Sequence, residues 1–456
     1  MGLPPLASGP HGPDALRPLL DTVLHALHTG AATRGGPLPA GGPDTVAARV
    51  ADAAGDILPD HGDPDALRTL VTALAEGAAD PAHPLCAAHL HGPPLAVATA
   101  ADLAAGALNP SLDSWDQAPA ASALETLVTR TLARETGATD ALVTTGGTES
   151  NQLAALLARE KHGPGLRLIH GANAHHSVPR AAWLLGLPEP VTVPAPTGTL
   201  DPAALDEALT QIPGPHLVIA TAGTTDAGLI DPLPEIADRC TTHGARLHID
   251  AAYGAGLLFS DHHRPKLAGL EAAHTITLDL HKLGWQPIAA GLLTVKNPND
   301  LTALHHHTHY LNADDDTDAG LPDLLGRSPR TSRRPDILKI AVTLKTLGRT
   351  GLGTLVDEVC TRADQLAALV HDHPAFELHA PPTISTVLFR PTHATDHDVA
   401  TLRRTLLTTG HAVLGRAHAD GRLWLKATLL NPHTRPDDLT TLLTLVESSL
   451  EGHTPR

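Results

Sequence analysis

The pattern of hydrophobic and polar residues changes near residue 80. Before that point, apolar residues recur at helical spacing over 13–30 and 64–78, and a Gly- and Pro-rich stretch between them, 30–45, predicts a linker or open loop. After it, short runs of apolar and β-branched residues alternate with longer segments of helical periodicity. This alternation is typical of βαβ units, so it predicts a mostly parallel sheet covered by helices.

The predicted strands of this part are short apolar runs, namely ALVTT at 141–145, HLVIATAG at 216–223, RLHID at 246–250 and TITLDL at 275–280. A long helix is predicted over 336–370, and strand, helix, strand and helix patterns follow it. The sequence therefore predicts an N-terminal helical extension (1–80), a large domain (81–355) and a small C-terminal α+β domain (356–456).

Composition narrows the class of protein. The 456 residues exceed a single core, and 42% of them are hydrophobic, which is ordinary for a globular protein. The net charge of −17 argues against nucleic-acid or anionic-membrane binding as the main task. No apolar run approaches the roughly 20 residues of a membrane span.

The sequence also carries signals about compartment. The first residues have no basic segment followed by an apolar core, so we expect no secretory signal. Gly2 follows the initiator Met, but Leu6 stands where myristoylation would require Ser or Thr. The three cysteines are scattered and odd in number, which suits a reducing cytoplasm. We therefore expect a cytoplasmic protein.

Histidine is abundant, with 31 residues, and the segment 305–309 contains four of them. Structural zinc usually binds to paired Cys and His ligands with a second pair elsewhere, and no Cys or Glu set accompanies this segment. Solvated surface histidines are the favoured interpretation, and we predict no metal site.

Two motifs place chemically useful residues at the ends of predicted strands. HIDAAYG puts Asp250 at the end of one strand, and TLDLHKLGWQP puts Lys282 just after another. A carboxylate can keep a pyridine nitrogen protonated, and a lysine amine can attach covalently to an aldehyde. Together they are the minimum equipment for holding pyridoxal 5'-phosphate (PLP). Taken alone, a strand-end aspartate is more often a helix N-cap, and a strand-end lysine is either solvated or functional.

A glycine pair precedes the helix predicted within VTTGGTESNQLAALLARE, residues 143–160. Gly146 and Gly147 allow close approach of the backbone, and the free N–H groups at a helix start can bind a phosphate. An ordinary capped helix explains the same residues, so this pattern alone is weak evidence for a phosphate site.

These motifs resemble those of the group II PLP-dependent amino acid decarboxylases. The resemblance extends from about residue 80 to the C-terminus and includes HPLCAAHLHGPP at 83–94, the segment 107–125, and GRLWLKATLLNP at 421–432. It implies a PLP-dependent transferase of fold type I, in which the large domain has a mostly parallel, seven-stranded type of sheet. It also implies a homodimer with its active sites at the interface.

The resemblance also assigns residues. Lys282 matches the lysine that binds the cofactor covalently, Asp250 the partner of the ring nitrogen, and His175 in ANAHHSVPRAAWLLGL the histidine that stacks on the ring. The other implied cofactor contacts are Gly147 and Thr148 at the phosphate, Thr225 (or Thr224) after a strand, Ala252 against the ring and His281 near the phosphate. Without the resemblance, a histidine at a helix cap would explain His175, and a plain turn would explain either threonine.

Three departures from the family pattern affect the chemistry. Glu149 follows the phosphate contacts, where small hydroxyl residues are common, and we expect its carboxylate to point away or to accept backbone N–H groups. Asp279 stands where many members carry Asn. The loop ahead of Ser332 lacks the tyrosine linked to protonation of the carbanionic intermediate. Leu324 stands near that tyrosine's position, and Tyr310 precedes the loop.

The implied reaction is α-decarboxylation of an L-amino acid, and the wording of the motifs is closest to the diaminobutyrate-type branch. The expected substrate is therefore a small aliphatic or basic amino acid. Two alternatives stay open: decarboxylation coupled to oxidative deamination, or other chemistry at Cα, which the loop change would permit, and a catalytically inactive scaffold. The presence of both Lys282 and Asp250 argues against the scaffold.

Overall fold

The structure, a computed structural model, describes residues 3–305 and 314–451. Residue contacts divide the chain into a larger compact unit (94–360 and 382–384) and a smaller one (1–93, 361–381 and 385–456). The predicted domain boundaries after residues 80 and 355 stay a prediction. Most of the histidine-rich segment, and Tyr310, lie outside the described residues.

Helices and strands alternate along the described chain as the sequence pattern predicts. The α-helices are α1 (Gly12–Arg34), α2 (Gly42–Ala54), α3 (Ala66–Gly77), α4 (Ala96–Leu108), α5 (Pro119–Glu135), α6 (Gly147–His162), α7 (Ser177–Leu185), α8 (Pro202–Gln211), α9 (Leu233–His243), α10 (Asp314–Asp318), α11 (Ile337–Asp372), α12 (Asp396–Thr408) and α13 (Pro436–Glu451). The strands are β1 (Cys86–Ala87), β2 (Asp140–Thr144), β3 (Arg167–Gly171), β4 (Val191–Val193), β5 (His216–Thr221), β6 (Arg246–Asp250), β7 (Thr275–Asp279), β8 (Gly291–Val295), β9 (Phe376–Leu378), β10 (Thr386–Pro391), β11 (Val413–Ala419) and β12 (Arg422–Thr428).

The larger unit is built on a seven-stranded sheet with the order β2-β8-β7-β6-β5-β3-β4. Strands β3 to β7 run parallel to one another, and β8 runs antiparallel to both β7 and β2. Every residue of β5, β6, β7 and β8 is buried, as expected for central strands covered by helices on both faces. The predicted mostly parallel sheet is confirmed, and β8 is its antiparallel member.

The smaller unit contains a five-stranded sheet with the order β1-β11-β12-β10-β9. Strands β11 and β12 form a hairpin across Asp420 and Gly421, both with positive φ (50° and 69°). An Asp-Gly pair is a preferred two-residue hairpin turn, because the two residues tolerate this conformation and match the twist of the strands. Apolar residues of α12, α13 and the end of α11 pack with those of this sheet in one hydrophobic core.

Two helices differ from the sequence expectation. Part of the stretch predicted as a linker begins α2, which the apolar spacing did not reveal because its residues are mostly exposed. Helix α11 is interrupted at Gly348, whose backbone (φ 62°, ψ −174°) is not helical. Within the described part of the chain, no helix is both long enough and apolar enough to cross a membrane.

Candidate cofactor site

The carboxyl ends of β5, β6 and β7 meet at one edge of the large sheet. Thr221 is paired with Asp250 across β5 and β6, and Asp250 is paired with Thr277 of β7. Ligands of open α/β sheets bind at this edge. The three strands therefore bring the candidate residues after them to one place.

Helix α6 begins at the same edge with close backbone packing. Gly146 has a φ of 157°, and a Cβ there would lie 3.0 Å from Cε1 of His281. A Cβ on Gly147 would lie 3.0 Å from that of Ala252, and one on Gly291 would lie 2.5 Å from the backbone nitrogen of Gly146. Side chains at these glycines would fill the space beside the helix start. The first N–H groups of α6 lack intrahelical partners and favour an anion.

The carboxylate of Glu149 lies beside the start of α6. Its Oε2 accepts hydrogen bonds from the backbone N–H (2.6 Å) and the hydroxyl (2.8 Å) of Thr145, and its Oε1 accepts one from Arg330 (3.1 Å). The expectation that Glu149 accepts backbone N–H groups is confirmed. Its charge is offset by Arg330, and the neighbouring Thr148 is exposed.

Asp250 is a buried carboxylate at the end of β6, with 6% of its surface exposed. One oxygen accepts the N–H of Ala252 at 3.0 Å, and the other accepts the side-chain amide of Asn151 at 2.7 Å. A buried charge requires such partners, because desolvation otherwise favours the neutral form.

Lys282 follows β7, and its Nζ lies 3.1 Å from Oδ2 of Asp279. Nε2 of His281 lies 3.5 Å from the same oxygen. The second oxygen of Asp279 is buried and has no hydrogen-bond partner among the described residues. Asp279 therefore faces both side chains, and the charge of Lys282 offsets its negative charge near the glycine pair.

His175 lies just before α7, and its Nδ1 is 2.9 Å from the hydroxyl of Ser177. Burial lowers the pKa of His175, and the charge of Asp250 opposes that shift only partly. After β5, Thr224 is buried and its hydroxyl accepts the N–H of Leu229 (3.0 Å), whereas Thr225 is exposed. Both threonines therefore lie in a turn, and Thr225 is the one whose side chain is exposed.

These features together fit PLP. The glycine pair and the start of α6 suit its phosphate, the buried carboxylate of Asp250 suits its ring nitrogen, and Lys282 supplies an amine. The short distances that a Cβ on Gly147 would make to Ala252, and a Cβ on Gly146 to His281, show that these backbone segments lie side by side. The donor set therefore matches a phosphorylated pyridine aldehyde.

Comparison with known proteins agrees with the geometry. The Pyridoxal-dependent decarboxylase conserved domain matches residues 58–392. The chain belongs to the pyridoxal-dependent decarboxylase family. This decarboxylase therefore uses PLP and removes the carboxylate of an amino acid.

Its similarity to individual relatives covers most of the chain. It is 40% identical over 396 residues to L-2,4-diaminobutyrate decarboxylase of Rhizobium meliloti, which covers 82% of this chain and 80% of that protein. It is 32% identical over 409 residues to L-2,4-diaminobutyrate decarboxylase of Acinetobacter baumannii (81% of this chain, 80% of that protein).

A solved structure gives the same result. The decarboxylase superposes with a TM-score of 0.86 on the glutamate decarboxylase domain of diaminobutyrate-pyruvate transaminase and L-2,4-diaminobutyrate decarboxylase from Vibrio parahaemolyticus. The identity is 31%, and the match covers 98% of each chain. The prediction of fold type I is confirmed.

The loop that lacks the family's tyrosine is anchored by packing. Leu324 is buried with Leu112 and Ala118 in a small apolar cluster. Further along the loop, Arg333 makes two hydrogen bonds of 3.0 and 2.9 Å to Glu125, and both side chains are buried. This ion pair therefore joins the segment 107–125 to the loop before α11.

Sequence reasoning missed the polar residues behind the site. Asn151 on α6, Ser177 on α7, and His248 and Thr277 on adjacent strands are buried and hydrogen-bonded to one another or to Asp250. For His248 and Thr277 the available signal was a polar residue inside an apolar run, whereas Asn151 and Ser177 have polar neighbours in the sequence and give no such signal. A single polar residue in an apolar run does not reveal its partner, because the partner lies far away in sequence.

Proposed function

We propose that this decarboxylase acts on a short basic L-amino acid, with L-2,4-diaminobutyrate as the first candidate. The products would be CO2 and propane-1,3-diamine, with a proton replacing the carboxylate at Cα. The observation that carries this choice is the 40% identity over 396 residues to a protein named for that substrate. The net charge of −17 also favours a cationic substrate over an acidic one.

We assign the residue roles as follows. Lys282 attaches the cofactor covalently, the carboxylate of Asp250 holds the proton of the ring nitrogen, and His175 lies against the ring. The phosphate is held by Gly147, Thr148 and His281, and Ala252 and Thr225 complete the contacts. When bound, PLP supplies an electron sink for the breaking bond between Cα and the carboxylate. The protein contributes the fixed negative charge and the covalent anchor.

We also propose a cytoplasmic homodimer with active sites at its interface. Support comes from large apolar side chains that stay exposed on the larger unit, including Trp183 (76% exposed) and Leu184 (56%) on α7 and Leu127 (67%) on α5. Such side chains suit contact with a second copy of the chain. Sedimentation of the purified protein would test this, and a monomer with full activity would contradict it.

The substrate is tested with a panel of L-amino acids while CO2, amine, aldehyde and peroxide are all followed. We expect one CO2 and one amine per diaminobutyrate consumed, with slower turnover of glutamate and aromatic amino acids. A higher kcat/KM for an acidic or aromatic substrate would contradict the substrate assignment. Aldehyde and peroxide as main products would favour decarboxylation coupled to oxidative deamination, the second candidate, which the absence of a tyrosine near Leu324 in the loop would permit.

The role of Lys282 is tested with Lys282→Arg, which keeps a positive charge beside Asp279 but cannot form the covalent bond. Turnover should fall by at least about a hundredfold, because the anchor for amine exchange is lost. Borohydride treatment of the parent should fix the cofactor on the peptide that contains Lys282. Lys296→Arg is the matched control, since this exposed lysine just after β8 donates, within the described residues, to the backbone oxygen of Glu271 (3.0 Å) and lies outside the candidate site. Label on another lysine would overturn the assignment.

A further inference from the structure

Asn151 on α6 is hydrogen-bonded to Asp250 and also to buried residues of α7, β6 and β7. Its side chain is 4% exposed, and all of its polar atoms have close partners. The amide nitrogen lies 2.7 Å from Asp250 and 2.9 Å from the hydroxyl of Ser177. The amide oxygen lies 2.9 Å from Nε2 of His248 and 2.8 Å from the hydroxyl of Thr277.

Chemistry fixes the direction of these hydrogen bonds. An ionised carboxylate can only accept, so the NH2 group of Asn151 must face Asp250 and its oxygen must face His248. Burial lowers the pKa of His248 to about 4, so the ring is neutral and carries one proton. Nδ1 of this ring lies 2.9 Å from the hydroxyl and 3.1 Å from the backbone oxygen of Thr275.

The second N–H of Asn151 determines the direction of the hydrogen bonds at Ser177 and His175. The oxygen of Ser177 accepts this N–H, so its own proton is free to be donated to Nδ1 of His175, 2.9 Å away. The backbone N–H of Ser177 also points to this nitrogen, at 3.3 Å. With two donors on Nδ1 and a pKa lowered by burial, the neutral ring of His175 carries its proton on Nε2.

We propose that Asn151 is a positioning residue that keeps the carboxylate of Asp250 ionised and, through Ser177, holds His175 in one tautomer. The proposal rests on the proposed roles of Asp250 and His175. N–H groups that donate to a carboxylate stabilise its charged form. When Asp250 faces the pyridine nitrogen, this stabilisation keeps the shared proton on the nitrogen rather than on the carboxylate. Asn151 therefore strengthens the electron sink without contacting the cofactor.

The test uses Asn151→Leu, which keeps a similar size but removes both donors and the acceptor. PLP labelled with ¹⁵N in its ring reports by NMR whether the nitrogen is protonated. We expect the signal to move towards the unprotonated position, and kcat to fall about 10- to 100-fold, the range expected for losing a hydrogen bond to a charged group. The affinity of the apoprotein for PLP should fall as well. Ser177→Ala should lower kcat while leaving the ¹⁵N signal at the parent position.

Two comparisons make the outcome decisive. Asn431→Leu removes an equally buried amide (6% exposed) that donates to the backbone oxygen of Ala82 at 2.7 Å in the smaller unit, and it should leave the ¹⁵N signal unchanged. Asp250→Asn tests the underlying role and should itself deprotonate the ring nitrogen. If Asp250→Asn has no effect on the signal, the proposed role of Asp250 fails. If Asp250→Asn shifts the signal but Asn151→Leu does not, only the role of Asn151 is refuted.

Discussion

Replacing Arg333 by Met should strongly destabilise the larger unit. Arg333 is 3% exposed and Glu125 is 5% exposed, and their two hydrogen bonds join the loop before α11 to helix α5. Removing one partner leaves a buried charge without its counter-charge, which costs about 3–5 kcal/mol. The backbone oxygen of Arg333 also accepts the N–H of Leu112, so a displaced loop would lose that bond too.

The double variant Glu125→Leu/Arg333→Met should behave differently. Within the described residues, Nε and Nη2 of Arg333 are buried without hydrogen-bond partners, so the native pair is incompletely satisfied. Replacing such a pair by apolar side chains is often neutral or stabilising by about 1–4 kcal/mol. We therefore expect each single variant to be far less stable than the double variant.

The assay is urea unfolding followed by tryptophan fluorescence in a Trp424→Phe background. The remaining tryptophans, Trp115, Trp183 and Trp285, all lie in the larger unit, so the signal reports that unit. A full double-mutant cycle gives the coupling between the two side chains. A loss below about 1 kcal/mol for Arg333→Met, or a double variant less stable than both single variants, would refute the reasoning.

Two further predictions concern the same loop. Leu324→Tyr should lower the ratio of aldehyde to amine if a hydroxyl there can reach the reacting carbon, and it should cost about 1–3 kcal/mol by overfilling the cluster with Leu112; an unchanged ratio measured in air would exclude this position from control of the products. Burial alone would raise the pKa of Asp140, but the hydrogen bonds and charge of Arg327 outweigh it and lower that pKa. The stabilisation is thus complete above the ordinary aspartate pKa of about 4 and is lost as pH falls through the lowered value. The stability difference between the parent and Arg327→Met should therefore shrink between about pH 5 and pH 2, and a difference that grows on acidification would contradict the sign.

Much of the fold could be predicted from local pattern. The run RLHID is strand β6 with the predicted bounds, and HLVIATAG and TITLDL each contain the observed strand with one or two extra residues. Parallel central strands are buried on both faces, so their sequences are continuous apolar runs that stand out against helices. Strand β8 was not predicted, since GLLTV at 291–295 is equally compatible with a short helical segment.

The place of a candidate site residue in the fold could be predicted only where a motif puts it at or just after a strand. Asp250 ends β6, Lys282 and the glycine pair follow β7 and β2, and the sheet brings them to one edge. The contacts of Asp279 with Lys282, and of Asn151 with Asp250, depend on side-chain directions that no local pattern encodes. Side-chain direction follows from packing between α6 and the sheet, which is a property of the whole fold.

The position of β8 has a consequence for biosynthesis. Strand β2 precedes the glycine pair and lies at the edge of the sheet, where β8 is the one strand paired with it in the described part of the chain. Strand β8 is also the last strand of this sheet to leave the ribosome, after β3 to β7. The nascent chain therefore cannot pair β2, and with it the turn at Gly146 and Gly147, into the sheet until translation has passed Val295, and we expect cofactor binding to follow completion of the sheet rather than guide its early assembly.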